Sequence, residues 1–158
     1  DGKTYGWIFA FMSLSFISAS QLNSLLLRRF KSEQMIFGAL ISQSVIVILF
    51  LILSMNNFLG LYGTIVMLFL FLSCLGISNP NTAGLTLAPF ARNAGSASAL
   101  MGAIQLGLGA FVSFTVGVFV HNSIVSMVVI MTITTLLALV ILIFGRRTIK
   151  KAIPIFED

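Results

Sequence analysis

The chain has 158 residues, 58% of them hydrophobic and only 8% charged, with a net charge of +5. Its charges are bunched, so that residues 34–91 and 93–145 contain no Asp, Glu, Lys or Arg. A soluble domain of this size needs a charged outer face on every helix; with none available, the composition describes a polytopic membrane protein solvated by lipid.

Splitting the sequence at its charged and turn-forming clusters predicts five segments long enough to cross ~30 Å of hydrocarbon at ~1.5 Å per residue. They cover residues 5–27, 35–54, 59–87, 96–120 and 124–144, with a cytoplasmic tail at 145–158. The apolar runs are continuous instead of alternating and are too long for barrel strands, so the expected class is an all-α transmembrane bundle. No internal repeat is visible.

The first span follows Asp1 and Lys3, is too long and too weakly flanked by cations for a cleavable signal peptide, and does not begin at a Met. The chain is therefore expected to be a piece of a longer protein. Gln21 and Asn23 lie one turn from the end of this span, where interfacial capping explains them. The second span carries Gln43 at mid-membrane between Ser42 and Ser44, a position suited to a hydrogen bond between helices. Otherwise the second and fifth spans read as aliphatic, lipid-facing helices.

The third span ends in the polar run "GISNPNTAGLTLAPF". Pro80 has no amide hydrogen, so the Gly76 carbonyl one turn earlier loses its partner and the helix is expected to kink there. Ser78, Asn79, Asn81 and Thr82 are near enough to repair that break. At about 100° per residue, Phe69, Ser73, Gly76, Pro80 and Gly84 share one face, while Ser78, Asn79, Thr82 and Thr86 occupy another arc. The supply of polar groups exceeds what a repair requires. Two readings stand: structural repair alone, or a kinked helix whose polar arc also faces a water-filled cavity or a partner helix. Phe69 could line an apolar pocket. The one cysteine, Cys74, lies in the apolar part of this span, which rules out a disulfide or a multi-cysteine metal site within the chain.

The fourth span places Ser98, Gly102, Gln105, Gly109 and Ser113 on one face and Ala99, Ala103, Gly107, Ala110 and Gly117 on a second. Small residues at this spacing let backbones approach closely in lipid, so the helix is expected to be gripped on two sides, with Gly102, Gly107, Gly109 and Gly117 as packing positions. Gln105 needs a partner, either a neighbouring helix or a ligand or water in a cavity. His121, at the outer end, suits the interface without a special role.

The connections carry the orientation. Arg28, Arg29 and Lys31 follow the first span, Arg92 the third, and Arg146, Arg147, Lys150 and Lys151 the fifth, whereas "NNFLG" and "HNS" carry no Lys or Arg. Alternate basic loops predict an outward N-terminus and a cytoplasmic C-terminus, and explain the positive charge through topology and anionic lipid without nucleic acid. No span contains an ionisable Asp, Glu, Lys or Arg for a proton relay, and no base, metal set or glycine-rich phosphate loop points to an enzyme.

Three stretches in order, "YGWIFAFMSLSFISASQLNSLLLRRF", "GISNPNTAGLTLAPF" and "AGSASALMGAIQLGLGAFVS", resemble the C-terminal half of Bcr/CflA-type multidrug efflux transporters of the major facilitator superfamily. The resemblance implies that the five spans are helices eight to twelve of a twelve-helix, bacterial inner-membrane drug/proton antiporter working by alternating access. It makes Phe69, Ser73, Ser78, Asn79, Asn81 and Thr82 candidates for the cavity wall, sets Gln105 toward the cavity or the eighth helix, and matches Arg28 and Arg29 to the basic end of a cytoplasmic loop motif. The implied partners are the lipid bilayer, the N-terminal transporter half and small amphipathic organic substrates. No metal or organic cofactor is implied; the proton gradient would drive the full-length protein. The acidic residue usual in that loop is absent between Ser24 and Lys31, and the family's membrane-embedded carboxylate belongs to its first half. The chain alone is therefore not expected to couple protons. Alternatives from other classes are a self-standing five-span scaffold or oligomeric pore, and a non-functional truncation.

Overall fold

The computed structural model describes residues 2–56, 58–119 and 124–152, which form five α-helices and one 3-10 helix, with no strand among the described residues. In order these are α1 (Gly2–Leu26), α2 (Ser32–Met55), α3 (Leu61–Leu87), the 3-10 helix Ala88–Asn93, α4 (Ala94–Phe119) and α5 (Ile124–Ala152). Four stretches are long and apolar enough to cross a membrane: Lys3–Leu26, Ser32–Met55, Leu61–Gly117 and Ile124–Gly145. The third is 57 residues long because α3, the 3-10 helix and α4 follow one another without a gap. His121 and the end of the tail, 153–158, lie outside the described residues.

Local chemistry sets the helix ends. Lys31 is extended (φ −73°, ψ 146°), and its amide donates to Gln34 Oε1 at 3.3 Å, which starts α2 in the basic connection. At the other end, Asn56 donates both its amide (3.2 Å) and its Nδ2 (2.7 Å) to the Ile52 carbonyl and stops the helix. Pro89 follows the last residues of α3, and Phe90 (φ −104°, ψ 25°) leaves helical values inside the 3-10 segment, forming an elbow where the sequence predicts a loop. α5 runs on past Phe144 into the basic tail, since Arg and Lys are good helix formers once the apolar run has ended.

α1 and α3 lie side by side and run in the same direction. Ser15 meets Ser73 and Asn23 meets Asn81, both at a sequence separation of 58, so the offset holds over two helical turns. This parallel register puts Arg28, Arg29 and Lys31 at the same end of the bundle as Arg92. The exposed aromatics Tyr5, Trp7 and Tyr62 gather at the opposite end.

α2 packs between α3 and α5. Val47 and Phe50 of α2 and Val128 of α5 are completely buried, and α2 buries six residues in all. The second and fifth spans, expected to face lipid, thus each pack on one side, while Val45, Ile52 and Met55 of α2 and Ile133, Leu137 and Ile141 of α5 stay exposed; an aliphatic surface suits a packed helix as well as it suits acyl chains, so composition alone does not separate the two sides. α4 departs in the opposite sense. It touches α3 only slightly and makes no comparable packing with α1, α2 or α5 among the described residues. A Cβ placed at Gly102, Gly107, Gly109 or Gly117 would meet nothing within 4 Å, so neither of its small faces is gripped in this arrangement.

Candidate functional site

The polar residues of the apolar runs are sorted by α3 onto two flanks. On the first, α1 contributes Phe11, Ser15, Ala19 and Asn23 at four-residue spacing, and α3 answers with Phe69, Ser73, Gly76 and Asn81. The Phe11 and Phe69 rings stack with centroids 4.7 Å apart. Ser15 Oγ lies 2.7 Å from both Ser73 Oγ and the Phe69 carbonyl, to which Ser73 also donates at 2.9 Å. At Gly76 the backbones themselves approach: a Cβ there would sit 2.5 Å from the Phe16 carbonyl oxygen. Farther along, Asn81 Nδ2 donates to Asn23 Oδ1 (2.6 Å) and to the Ile77 carbonyl (2.7 Å), with both asparagines 3% exposed. Asn81 Oδ1 is buried without a donor.

Three of the predicted wall residues, Phe69, Ser73 and Asn81, are thus engaged with α1. Asn23 is a buried partner of Asn81 and not an interfacial cap, because the shared direction of the two helices brings it level with the polar run. The bond between Asn81 and the Ile77 carbonyl supports the backbone next to Pro80. Pro80 lies inside α3, whose helix continues to Leu87.

The second flank faces α2 and α5 across a cleft of about 560 Å³. Its polar lining is Gln43 from α2, Ser78 and Thr82 from α3, and Thr134 and Thr135 from α5. Ser78, Thr82 and Thr134 donate their hydroxyl hydrogens to carbonyls of their own helices, of Leu75, Ser78 and Ile130. Such back-bonding satisfies the donor and leaves oxygen lone pairs for another group. Gln43 and Thr135 differ: they are 3% and 5% exposed, and neither side chain has a hydrogen-bond partner among the described residues. The expected role of Gln43 as a bond between helices is therefore not what the structure shows. The lining contains no titratable group, so the chemistry open to this cleft is hydrogen bonding and apolar contact.

A second groove, of about 540 Å³, lies in the elbow between α3 and α4. Thr86 and Gln105 stand among its walls, which are otherwise mainly apolar, with Phe90 at the bend. Gln105 is exposed there, and Asn79 is exposed on α3 without sharing either cavity. Arg28 and Arg29 line a shallow depression at the basic end with Lys31 and Glu33, and Arg92 is exposed on the 3-10 helix.

Ser15, Thr134 and Thr135 stand out by no pattern within their own spans. A usable signal existed for the seam: Ser15 and Asn23 are eight residues apart, as are Ser73 and Asn81, so two polar pairs match at one offset. The cluster Thr132, Thr134 and Thr135 is the corresponding signal in the fifth apolar run. No family model, curated protein or solved structure matches the chain.

Proposed function

We propose that this chain is the C-terminal part of a bacterial inner-membrane transporter of the major facilitator type, supplying five spans and one wall of the path for small amphipathic organic compounds. The stretch Leu61–Gly117 is far longer than ~30 Å of hydrocarbon needs at ~1.5 Å per residue, and the elbow at Phe90 divides it into two crossings. In this reading the basic end lies in the cytoplasm and the end with Tyr5, Trp7 and Tyr62 lies outside, in keeping with the positive-inside bias and interfacial aromatic belts.

The observation that carries the reading is α4. It is an apolar helix with two small-residue faces and a mid-span amide, and it stands clear of the packed group formed by α1, α3, α2 and α5, with a groove open beside Gln105. Small faces in lipid serve close helix approach, and a mid-membrane amide calls for a partner or a wet cavity. Further spans of a longer transporter supply both, and rocking of two helical halves about such a cavity moves solute across the membrane. Drug export driven by protons would then depend on a carboxylate outside this chain, because no Asp or Glu occurs between residues 34 and 156.

The test uses the complete open reading frame. Seven further spans are expected to be encoded upstream of Asp1; Gln105→Ala and Asn79→Ala are expected to lower efflux while membrane insertion is unchanged, and the 158-residue chain reconstituted alone is expected to show no pH-driven flux. Flux from the chain alone, or joint loss of insertion and efflux in both variants, would overturn it. A self-standing oligomer is the competing account of the same uncovered faces, and concentration-dependent cross-linking through Gly102→Cys and Gly109→Cys would favour it.

A further inference from the structure

We propose that the cleft between α2, α3 and α5 is a binding site for a small, uncharged amphiphile carrying hydroxyl or amide groups. Gln43 and Thr135 are more than nine-tenths buried, line this cleft and have no hydrogen-bond partner among the described residues. Unlike Asn81 Oδ1, their polar atoms are not sealed off, and an amide or hydroxyl without a protein partner at membrane depth marks a place where something else completes its bonding.

The available groups define the ligand. Gln43 offers two donors and an acceptor, and Thr135 offers one donor and its lone pairs. Ser78, Thr82 and Thr134 have spent their hydrogens on backbone carbonyls and can only accept. A ligand must therefore both donate and accept, as an alcohol or amide does. Leu40, Phe71, Leu75 and Ala138 provide apolar wall for a hydrocarbon or aromatic body. No charged side chain lines the cleft, so an ammonium or carboxylate would enter without a counter-ion and lose its hydration. The volume of about 560 Å³ is that of a small-molecule pocket. This site is separate from the elbow groove beside Gln105, and its occupancy does not depend on whether the chain belongs to a transporter.

The test is photolabelling of the full chain in lipid vesicles with three trifluoromethyl-phenyldiazirines of one body, bearing a hydroxymethyl, an aminomethyl or a carboxylate group. The hydroxymethyl probe is expected to label peptides containing residues 36–43, 71–82 and 134–142 saturably, with competition by benzyl alcohol, and the charged probes about tenfold less. Gln43→Leu is expected to reduce the saturable labelling about tenfold through lost hydrogen bonding. Ala138→Leu, which fills the cleft while keeping every polar group, is expected to reduce it too, with unchanged helical circular dichroism. Equal labelling by all three probes, labelling spread over lipid-facing residues without saturation, or normal labelling in a folded Ala138→Leu protein would overturn the assignment.

Discussion

Replacing Gly76 by Ala adds one methyl group at the closest approach of α1 and α3. The new Cβ would lie 2.5 Å from the Phe16 carbonyl oxygen and 3.0 Å from Ala19 Cβ, where ordinary contact begins near 3.4 Å. The nearer obstacle is backbone, so no rotamer change removes it, and the helices must part by about 0.9 Å. Carried along the seam, that shift stretches the 2.7 Å Ser15 contacts and the 2.6 Å Asn23–Asn81 bond to about 3.6 and 3.5 Å, beyond useful hydrogen-bond length. Overpacking costs ~1–3 kcal/mol and each interhelical bond in a membrane contributes ~0.6, while Ala regains about 1 kcal/mol of helix propensity. The expected net loss is ~1–3 kcal/mol, read as a shift in the sodium dodecyl sulfate unfolding midpoint in mixed micelles. Gly84→Ala on the same helix meets nothing within 4 Å and is expected to be neutral or stabilising. Adding Ala19→Gly to Gly76→Ala should restore only part of the loss, since the Phe16 carbonyl stays in place. A Gly76→Ala protein as stable as wild type would refute the close backbone contact and the register built on it.

With Cys74 replaced by Ala, Ser15→Cys with Ser73→Cys should form a disulfide on mild oxidation, because the two Oγ atoms lie 2.7 Å apart; absence of the cross-link in folded protein would contradict the parallel pairing. In a double-mutant cycle, Asn23→Ala and Asn81→Ala should couple by ~0.6–1.7 kcal/mol in unfolding, and additive losses would show that the 2.6 Å bond contributes nothing. Trp7 is 77% exposed near one end of the bundle, so its fluorescence in vesicles should be quenched better by shallow than by deep brominated lipids; the reverse order would place that end inside the hydrocarbon. Spin labels at Leu22 and Leu85 should report a narrower distance distribution than labels at Leu85 and Ile141, since hydrogen bonds between helices join α1 to α3 while α3 and α5 face one another across the cleft.

Helix positions were legible because charge and turn clusters interrupt long apolar runs, and lipid permits few other backbone arrangements. Neighbour choice was not. Helical geometry puts Phe69, Ser73 and Gly76 on one face of the third span, but nothing in that span alone says that the face meets α1; the information lies in matched spacing across two helices. Val47 and Phe50 illustrate the same limit for apolar residues, since a buried aliphatic and a lipid-facing one have the same composition. Gln43 looked like a bond between helices because an amide at mid-membrane usually finds one. That its own neighbours leave it unpaired depends on how α5 is set against α2 and α3, which no local pattern encodes.

The two flanks of α3 differ in what holds them. Toward α1 the contact is backbone against backbone at Gly76, with hydrogen bonds between the two helices on either side of it, so displacement breaks several interactions together. Toward α2 and α5 the hydroxyls of Ser78, Thr82 and Thr134 are satisfied within their own helices, and none of them bonds across the cleft. Opening or narrowing that space therefore costs apolar contact but no hydrogen bond. Pro80 lies between Asn81, which faces α1, and Ser78, which lines the cleft, and it weakens the backbone ladder there. A chain that hydrogen-bonds one side of a proline-containing helix to its neighbour and the other side only to itself has two unlike interfaces: α1 with α3, joined by packing and hydrogen bonds, and α2 with α3, joined by apolar packing. In lipid, where packing and interhelical hydrogen bonds replace the hydrophobic drive, the first interface draws on both and the second on packing alone.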